Sequence, residues 1–457
     1  MSSEYKLLSQ LTGPRDAVLS LAFSAKAKFL AAAGYSGVYI WDLSTSASTP
    51  LPHMLFAPQN PKYVITASVW TYFQKTNRHI LILGSMRGDI LLWDWSEEAK
   101  RFNLLYRVHP MNDVQDEILS LDVHEQTVAS GRIGRVVAST ANRCISVWTL
   151  SSSGEFNKIF STTLGHNLKP KTVRMCKITR DVFVFPLFGG EILRLDYKTG
   201  AIKSRKSPGP GRMGSVALNH TADKFVTYTG KNFQLYRLGN LEILKNFTAE
   251  APVVFFPKQV AFGELETIVV GGTDRGCALV YNIETEEVVQ RLGYPGGSLV
   301  QPVSTFTLPG CHLIAIAGST QEQPSSVILF EKSIPKALQQ TAPPHAGGDL
   351  RKVSTSQNIS VPNSIHIGFY LPKIVIKWAS TIGALVFMFF ILYYTMPKYL
   401  QLSTGFHHDD RASTLQKDDM KLRGAIEVDS DPSEDAMTWW VQRSNSDSDE
   451  KGFVLVE

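Results

Sequence analysis

The sequence repeats one short pattern seven times, and this repetition limits the possible folds more than any other feature does. Each copy is an apolar run that follows a turn and carries a large side chain near its end, as in GVYIWDL at 37–43 and GDILLWDW at 88–95. The large side chains are those of Trp41, Trp93, Trp148, Leu195, Tyr236, Tyr281 and Phe330. Their spacings of 52, 55, 47, 41, 45 and 49 residues are typical of a chain built from repeated structural units.

The first repeat shows the internal order of a unit best. Apolar or alternating runs at 18–23, 29–34 and 37–43 predict three strands, and MLFA at 54–57 is the predicted fourth. Gly, Ser, Asn and Asp residues separate such runs, and no segment between repeats has a helical period. Units of four short strands are typical of β-propellers, because each blade buries its faces against its neighbours. The sequence therefore predicts an all-β, seven-bladed β-propeller over residues 1–335, with the six large aromatic side chains in the blade cores.

Two of the runs resemble the third strand of WD-repeat proteins. The Trp-Asp dipeptide that names that family stands at 41–42 and 93–94, and Trp148 keeps the first of its two residues. In the later blades only the large apolar position remains, although Asp274 occupies the place of the family's tight-turn aspartate. The Gly-His dipeptide expected ahead of each blade occurs only at 165–166. The resemblance implies a WD-type propeller in which most blades lack the hydrogen-bonded tetrad of the family.

The resemblance also implies how the ring closes. In WD-repeat proteins the first stretch of the chain often supplies the outer strand of the last blade. Here YKLLSQL at 5–11 has the right length, and the sequence beyond Phe330 turns polar at once. We therefore expect 5–11 to pair with the blade built from 302–332, which would leave no open sheet edge.

A membrane segment is predicted in the last quarter of the chain. The stretch WASTIGALVFMFFILYYTM at 378–396 is uncharged, and as a helix it would be about 28 Å long, close to the thickness of a bilayer core. Trp378 at one end and Tyr393 and Tyr394 at the other resemble the aromatic belts of membrane interfaces. The sequence thus predicts one transmembrane α-helix, whereas the N-terminal residues lack the apolar region of a signal peptide.

The regions on either side of this stretch differ in composition. Residues 336–364 are rich in Ser, Thr, Pro, Gly and Gln and are predicted to be a flexible linker. Residues 365–377 are apolar but interrupted by Pro372 and Lys373, and we expect this juxtamembrane segment to lie at the interface. Residues 397–457 are predicted to be an acidic, disordered tail, because 401–457 holds 13 acidic and 6 basic residues.

The orientation follows from the absence of a signal peptide. Lysine and arginine residues are balanced around the span, so their distribution favours neither orientation. To reach the lumen without a signal peptide, a propeller of this size would have to cross the membrane after its synthesis, which we do not expect. We therefore expect a single-pass integral membrane protein of an endomembrane, of the endoplasmic-reticulum type, with the propeller in the cytosol and the tail in the lumen. The three glycosylation sequons at 219–221, 246–248 and 358–360 would then be unused.

No catalytic constellation is recognisable. The sequence has no GxSxG, P-loop, HExxH or CxxC pattern. The four cysteines are interpreted as reduced thiols of the core and strands; they are Cys144, Cys176, Cys277 and Cys311. The run His-His-Asp-Asp at 407–410 is interpreted as a solvated polar cluster rather than a metal site. We therefore predict no catalytic, cofactor-binding or metal-binding residues, no cofactor and no enzymatic activity.

Basic residues are concentrated between 165 and 212, a segment that contains eleven basic and three acidic residues. The segment KTGAIKSRKSPGPGR at 198–212 is predicted to be a strand end and an exposed loop. The candidate residues for a basic patch are Lys198, Lys203, Arg205, Lys206 and Arg212. One interpretation is contact with an acidic partner or with anionic lipid headgroups, worth about 1 kcal/mol per basic residue near the surface. The other is a solvated blade edge. Nucleic acid is not expected, because no aromatic residues interleave with the charges.

The end of the tail contains a second candidate motif. Phe453 and Val456 follow the acidic residues Asp447, Asp449 and Glu450 at F-x-x-V spacing. This pattern is similar to the short motif that adds a β-strand to autophagy ubiquitin-like modifiers. The motif requires a cytosolic tail, which is the opposite of the predicted orientation.

Together these features favour a membrane-anchored WD-repeat scaffold whose cytosolic propeller binds protein partners and recruits them to a membrane. Tethering raises the effective concentration, so that even weak partner affinity would suffice. The alternative is a membrane-bound guanine-nucleotide exchange factor for a small GTPase in vesicle formation at the endoplasmic reticulum, because the layout resembles that of such a factor. That family acts through a Gly- and Asn-rich loop in its first blade. The matching connections here, SAKAKF at 24–29 and GYSG at 34–37, are short and lack it.

Overall fold

The computed structural model describes residues 4–49, 51, 64–110, 116–254 and 257–335. Their regular structure is almost entirely β-strand, arranged in seven sheets of four or five strands. Each sheet is a blade, and the inner strands of successive blades contact one another around a closed circle. The all-β, seven-bladed propeller predicted from the repeats is therefore confirmed.

The first three blades follow one another along the chain after an N-terminal strand. That strand is β1 (Lys6–Thr12). Blade 1 consists of β2 (Val18–Phe23), β3 (Phe29–Gly34), β4 (Gly37–Asp42) and β5 (Ala47–Ser48). Blade 2 consists of β6 (Ile65–Phe73), β7 (Arg78–Ser85), β8 (Ile90–Ser96) and β9 (Arg101–Val108). Blade 3 consists of β10 (Ile118–Val123), β12 (Gly134–Thr140), β13 (Cys144–Leu150) and β14 (Phe156–Thr163), while the short β11 (Thr127–Val128) runs parallel to β6.

The remaining blades have the same antiparallel order. Blade 4 consists of β15 (Pro170–Met175), β16 (Val182–Pro186), β17 (Ile192–Leu195) and β18 (Ile202–Lys206). Blade 5 consists of β19 (Val216–Leu218), β20 (Lys224–Tyr228), β21 (Phe233–Arg237) and β22 (Ile243–Phe247). Blade 6 consists of β23 (Val260–Gly263), β24 (Ile268–Gly272), β25 (Cys277–Asn282) and β26 (Val288–Gly293). Blade 7 consists of β27 (Val303–Thr307), β28 (Cys311–Ala317), β29 (Ser326–Ser333) and β1. Short 3-10 turns occupy Ala25–Ala27, Glu264–Glu266 and Pro295–Gly297.

The burial of each strand follows its place in the blade. The second strand of blade 1, FLAAAG, is buried at every position, because neighbouring blades cover both of its faces. The outer strand β9, RFNLLYRV, is buried only at Phe102 and otherwise partly or fully exposed. This difference explains why the middle strands are continuous apolar runs, whereas the outer strands contain many polar residues.

The core is divided among the blade interfaces. The described residues form seven hydrophobic clusters, one between each pair of neighbouring blades. Hydrogen bonds add to this packing: the indole nitrogen of Trp70 in blade 2 donates to the carbonyl of Ala22 in blade 1 at 3.0 Å. Each blade is thus stabilised by its two neighbours, as expected for a repeat architecture.

The ring is closed by the N-terminal strand, as predicted. β1 pairs antiparallel with β29 in a register that runs from Lys6 opposite Glu331 to Thr12 opposite Ser326. The side chain of Gln290 in blade 6 holds the start of this strand, because it accepts a hydrogen bond from the Tyr5 amide at 2.8 Å and donates one to the Tyr5 carbonyl at 2.7 Å. The last blade therefore contains residues from both ends of the described chain.

The predicted fourth strand of blade 1 was wrong. The structure places that strand at Ala47–Ser48, which pairs with Trp41 and Asp42, while MLFA at 54–57 lies outside the described residues. The reason is a tight turn: the carboxylate of Asp42 accepts hydrogen bonds from the amide and hydroxyl of Ser44, so the chain reverses at once.

The C-terminal predictions concern residues that the structure does not describe. The chain divides into two units, Met1–Asp349 and Leu350–Glu457, and all described residues belong to the first. Among the described residues, no helix has the length and apolar character needed to cross a membrane. The linker at 336–364, the juxtamembrane segment at 365–377, the apolar stretch at 378–396 and the tail at 397–457 all lie outside that part of the chain.

Candidate functional site

The strand order gives the propeller two faces with different loops. We call the upper face the one that carries the turns between second and third strands and the connections between blades. The lower face carries the turns between first and second strands and between third and fourth strands. Loops held on a rigid framework are the usual place for binding residues, so both faces and the channel between them are candidate sites.

A channel lined by the inner strands runs through the centre and encloses about 530 Å³. Two glutamines bridge it. The side-chain amide of Gln126 in blade 3 donates to the Phe23 carbonyl of blade 1 at 2.6 Å, and that of Gln259 in blade 6 donates to the Leu19 carbonyl at 2.6 Å. Both bonds join blades that are not neighbours, and they therefore brace the ring across its centre.

Charged groups of both signs line this channel on blades 3 and 4. Glu117 and Lys171 lie near its upper end, and each opposes the effect of burial on the other. Burial raises the pKa of Glu117 and lowers the pKa of Lys171, because both charged forms lose solvent. Further down, the Asp122 carboxylate accepts the amide hydrogen of Met175 at 2.7 Å, and Lys177 donates to the Val123 carbonyl at 2.6 Å. These contacts hold the inner strands of blades 3 and 4 together.

The six aromatic positions singled out in the sequence are all buried, and each lies in the third strand of its blade. Their exposed fractions are 8% or less for Trp41, Trp93, Trp148, Tyr236, Tyr281 and Phe330. Trp148 stacks on Phe156 with ring centroids 5.5 Å apart, and the Tyr281 hydroxyl donates to the Thr248 carbonyl at 3.0 Å. These side chains belong to the hydrophobic clusters between blades and present no surface to a partner.

The five basic residues of the candidate patch are placed apart. Three of them already have protein partners: Lys203 binds the Asp181 and Asp196 carboxylates at 2.8 Å each, Arg205 binds Glu191 at 3.0 Å, and Lys206 donates to the Leu238 and Gly239 carbonyls. The other two lie on different faces. Lys198 is in the lower-face turn before β18, with its ammonium 5.6 Å from the Tyr197 ring, and Arg212 is in the upper-face connection after β18.

A buried carboxylate in blade 4 binds two of the eleven basic residues counted between 165 and 212. Asp181 is fully buried, and Arg194 and Lys203 bind its two oxygens at 2.6 and 2.8 Å. The Lys203 ammonium also holds the pKa of Asp196 well below its usual range. The sequence count of eleven basic residues therefore includes cations that stabilise the blade itself. A count of charges cannot distinguish them from cations that face solvent.

A second buried ion pair was missed by the sequence reasoning. Lys258, in the connection between blades 5 and 6, binds the Asp274 carboxylate at 2.9 Å, and both side chains are no more than 3% exposed. The same carboxylate accepts the amide hydrogens of Val253 and Val254 at 3.0 Å each, and the Lys258 ammonium donates to the Val254 carbonyl at 2.8 Å. Burial lowers the pKa of Lys258, while Asp274 acts in the opposite direction. The tight-turn aspartate noticed in the sequence thus fixes the preceding connection through a lysine.

Both faces carry ion pairs, and the upper-face ones include Arg107–Asp89, Arg205–Glu191 and Arg291–Glu250. Ion pairs at or near the lower face include Lys28–Glu97, Arg78–Asp94, Arg132–Glu125, Arg237–Glu242, Lys245–Glu286 and Lys332–Glu264. On the upper face of blades 4 to 6, Arg212, Lys231 and Arg275 are exposed, and none of them has an ion-pair partner among the described residues. These three cations therefore carry positive charge that no other described side chain neutralises.

The cysteines and the possible metal ligands form no recognisable reactive or metal-binding site in the described part of the chain. Its four cysteines are free thiols, and burial raises the pKa of Cys311 to about 11. Within the same residues, no three His, Cys, Asp or Glu side chains are grouped so that they could hold a metal ion. The cluster at 407–410 and the tail residues Phe453 and Val456 lie outside them.

Comparison with known proteins adds no assignment. No protein-family model matches the chain, and no curated protein matches it. The fold is therefore established by the geometry of the blades alone, which fits a propeller of WD-repeat type.

Proposed function

We propose that the chain is a membrane-anchored scaffold of WD-repeat type, whose propeller binds protein partners and recruits them to a membrane without catalysing a reaction. The observation that carries this proposal is the closed ring, in which β1 completes blade 7. A ring packed between all its blades holds loops rigidly on two faces, and such loops suit recognition of other proteins. The propeller fold is consistent with this role.

The membrane part of the proposal is supported by the sequence at 378–396. Nineteen uncharged residues with aromatic residues at both ends match the length of a bilayer core. We further propose that the propeller lies in the cytosol and the anchor in an endomembrane, a placement that the protease experiment below tests. Anionic lipid contact by basic loop residues would add to this attachment.

Topology and anchoring are tested with the full-length chain, tagged at both ends, in microsomes. We expect the chain to stay in the membrane pellet after carbonate extraction, with the propeller digested by added protease and the C-terminal tag protected. Lysines placed in the apolar stretch by Val386→Lys and Phe389→Lys should release the chain, since each costs about 3 kcal/mol at the centre of a membrane helix. The matched control is Val386→Leu with Phe389→Leu. Carbonate extraction that releases the wild-type chain would contradict the anchor.

Glycosylation gives an independent reading of the orientation. Asn246 lies on the outer strand of blade 5 and is exposed, whereas Asn219 is 6% exposed and its side-chain amide donates to Thr221 and Asp223. A propeller in the lumen would therefore carry a glycan at Asn246 in preference to Asn219. We expect neither to be modified, and glycosidase sensitivity abolished by Asn246→Gln would contradict a cytosolic propeller.

Nucleotide release from small GTPases separates the scaffold from an exchange factor. The two first-blade connections on which exchange would depend are short: one contains the 3-10 turn Ala25–Ala27, and the other is the two-residue turn between β3 and β4. We expect the full-length chain to leave the rate of nucleotide release unchanged. Acceleration that is lost when these connections are altered would favour the exchange factor instead.

A further inference from the structure

An exposed aromatic ring and a guanidinium group stack on the upper face of blade 4. Phe188 lies in the turn between β16 and β17 and is 47% exposed, and the Arg212 guanidinium lies 5.3 Å from the centre of its ring. The backbones of these two residues also form an antiparallel bridge. The guanidinium of Arg212 is thus held near the ring while the residue stays exposed to solvent.

The two loops that carry this pair are locked together by glycines. The Gly209 amide donates to the Gly190 carbonyl at 2.6 Å. A Cβ atom on Gly190 would lie 2.7 Å from the Gly209 carbonyl oxygen, and Gly190 has a φ of +65°, so a side chain there would force the loops apart. Phe188 and Arg212 therefore sit on a preorganised platform, which lowers the entropy lost when a partner binds.

The platform continues into blade 5. A Cβ atom on Gly230 would lie 3.0 Å from an Arg212 guanidinium nitrogen, which places the next residue, Lys231, beside Arg212. The Tyr228 hydroxyl donates to the Gly230 carbonyl at 2.9 Å and orders this turn. Burial raises the pKa of Tyr228 to about 12, with Asp274 raising it and Arg212 lowering it, so both charges act on one phenol.

The surface ends on blade 6. Val253 is 56% exposed, and its amide donates to the Asp274 carboxylate at 3.0 Å. Arg275 follows Asp274 and is exposed. We call the set Phe188, Arg212, Lys231, Val253 and Arg275 the basic-apolar surface. Its members lie on the upper face of blades 4, 5 and 6.

The acidic residues around this surface are already engaged. Asp274 pairs with Lys258, Glu250 pairs with Arg291, and Glu191 pairs with Arg205. Arg212, Lys231 and Arg275 find no ion-pair partner among the described residues. Phe and Arg are among the residue types that are enriched in protein interfaces, and Arg is enriched at binding hot spots.

We propose that the basic-apolar surface binds an acidic segment of a partner protein that carries a large apolar side chain. Carboxylates of the segment pair with Arg212, Lys231 and Arg275, and the apolar side chain packs on Phe188 or Val253. The forked guanidinium of Arg212 favours a carboxylate, which it can bind through two parallel hydrogen bonds. Arg212 lies over the Phe188 ring, so the guanidinium and the ring are presented to a partner together. This inference rests on the proposed scaffold function and names the surface and the partner chemistry.

The test uses the full-length protein in detergent and a fluorescent twelve-residue peptide of Asp, Glu and Ser with one central Phe. The surface variants are Arg212→Glu with Lys231→Glu, and separately Phe188→Ser. The matched control is Lys198→Glu with Lys224→Glu, which makes the same change in net charge on the lower face, where both lysines are exposed and unpaired among the described residues. Thermal unfolding of each variant checks that the propeller remains folded.

We expect the double surface variant to bind the peptide at least about tenfold more weakly and the lower-face control to bind within about twofold of wild type. Phe188→Ser and a peptide with Ser in place of Phe should weaken binding to a similar extent, and their effects should not add, because they remove the same contact. Lack of binding by the wild-type protein, or an equal loss in the control, would overturn the proposal. Strong binding to phosphatidylserine vesicles that depends on Arg212 and exceeds peptide binding would also overturn it, in favour of a lipid surface.

Proximity labelling from the full-length chain in membranes separates this inference from the scaffold function. If the wild-type chain and the lower-face control label the same proteins and the double surface variant loses them, both proposals are supported. If all three label the same proteins, the scaffold function stands and the basic-apolar surface is overturned. The background control is the labelling tag attached to residues 378–396 without the propeller. If the wild-type chain labels no proteins that this control does not also label, the scaffold function itself fails.

Discussion

The ring of Phe29 in blade 1 lies nearly parallel to the indole of Trp70 in blade 2, with centroids 5.6 Å apart and 13° between the planes. Trp95 and Phe102 of blade 2 close around the same phenyl ring at 5.0 and 5.7 Å. One side chain of blade 1 is thus inserted into an aromatic cluster of its neighbour. The contact shows in atomic detail why a blade depends on the next blade for its stability.

Removing this ring should weaken the whole propeller. We expect Phe29→Ala to lower the free energy of unfolding by about 3–5 kcal/mol, since it opens a large cavity in a fully buried cluster. Ile243→Ala is the control, because Ile243 is 54% exposed on β22 and should change the value by less than about 0.5 kcal/mol. Urea unfolding of both variants measures the difference, and equal losses would contradict the packing argument.

Ring closure by β1 predicts a contrast within a single strand. Leu11 is 4% exposed and lies in the cluster between blades 7 and 1, whereas Leu7 is 64% exposed. Leu11→Asp should bury an unpaired carboxylate and cost about 3 kcal/mol or more, while Leu7→Asp should leave stability nearly unchanged. Limited proteolysis and melting temperature report the outcome. Equal sensitivity of the two variants would mean that β1 does not close the ring as described.

The buried pair of Lys258 and Asp274 predicts coupled effects. We expect Lys258→Met and Asp274→Asn each to cost about 3–5 kcal/mol, because each leaves one buried charge without its partner. The double variant should lose less than the sum of the two, since it removes both charges together. A double-mutant cycle on the free energy of unfolding measures this coupling. Additive losses would show that the two groups act independently despite their distance of 2.9 Å.

The repeat period was sufficient to predict the architecture. The strands at 18–23 and 29–34 coincide with β2 and β3, because both faces of a middle strand are buried and such strands are read directly as apolar runs. The outer strand of blade 1 was misplaced, since β5 has only two residues and no apolar pattern. Short edge strands are set by turn chemistry, here the Asp42 side chain, and not by hydrophobic period.

The candidate site was much harder to predict, because the sequence does not show which basic side chains meet a carboxylate in the folded chain. Lys203 and Arg212 are equivalent in a count of charges, yet one binds the buried Asp181 and the other lies exposed on Phe188. The sequence did not indicate that Phe188 is a surface residue, because a Phe beside glycines after a strand is usually interpreted as part of the core. Only the folded chain brings it next to Arg212 and shows that the two are presented together.

Acid should destabilise the propeller through a buried histidine. His79 packs against the rings of Phe29 and Tyr72 at 5.6 and 4.5 Å, and its Nδ1 finds no hydrogen-bond partner among the described residues. Burial, with a smaller contribution from the nearby charges of Lys28 and Lys26, lowers the pKa of His79 from 6.5 to about 4. The imidazole is therefore neutral in the folded protein at pH values where it would be charged in an unfolded chain.

The sign of the pH effect follows from this difference. Between pH 6.5 and about 4, the unfolded chain holds a proton on His79 and the folded protein does not, so the free energy of unfolding falls as the pH is lowered through this window. The loss from this residue is at most about 3 kcal/mol. Glu117 acts in the opposite direction, because burial raises the pKa of its carboxyl group and favours the protonated folded state.

We therefore compare urea unfolding of wild type and His79→Leu from pH 7.5 to 4, with His220→Leu, a change at an exposed histidine, as the control. The stability of His79→Leu should fall less steeply with pH than that of wild type, and the His220→Leu profile should follow wild type. Parallel profiles for all three proteins would contradict the prediction, because they would mean that His79 has the same pKa in the folded and the unfolded chain.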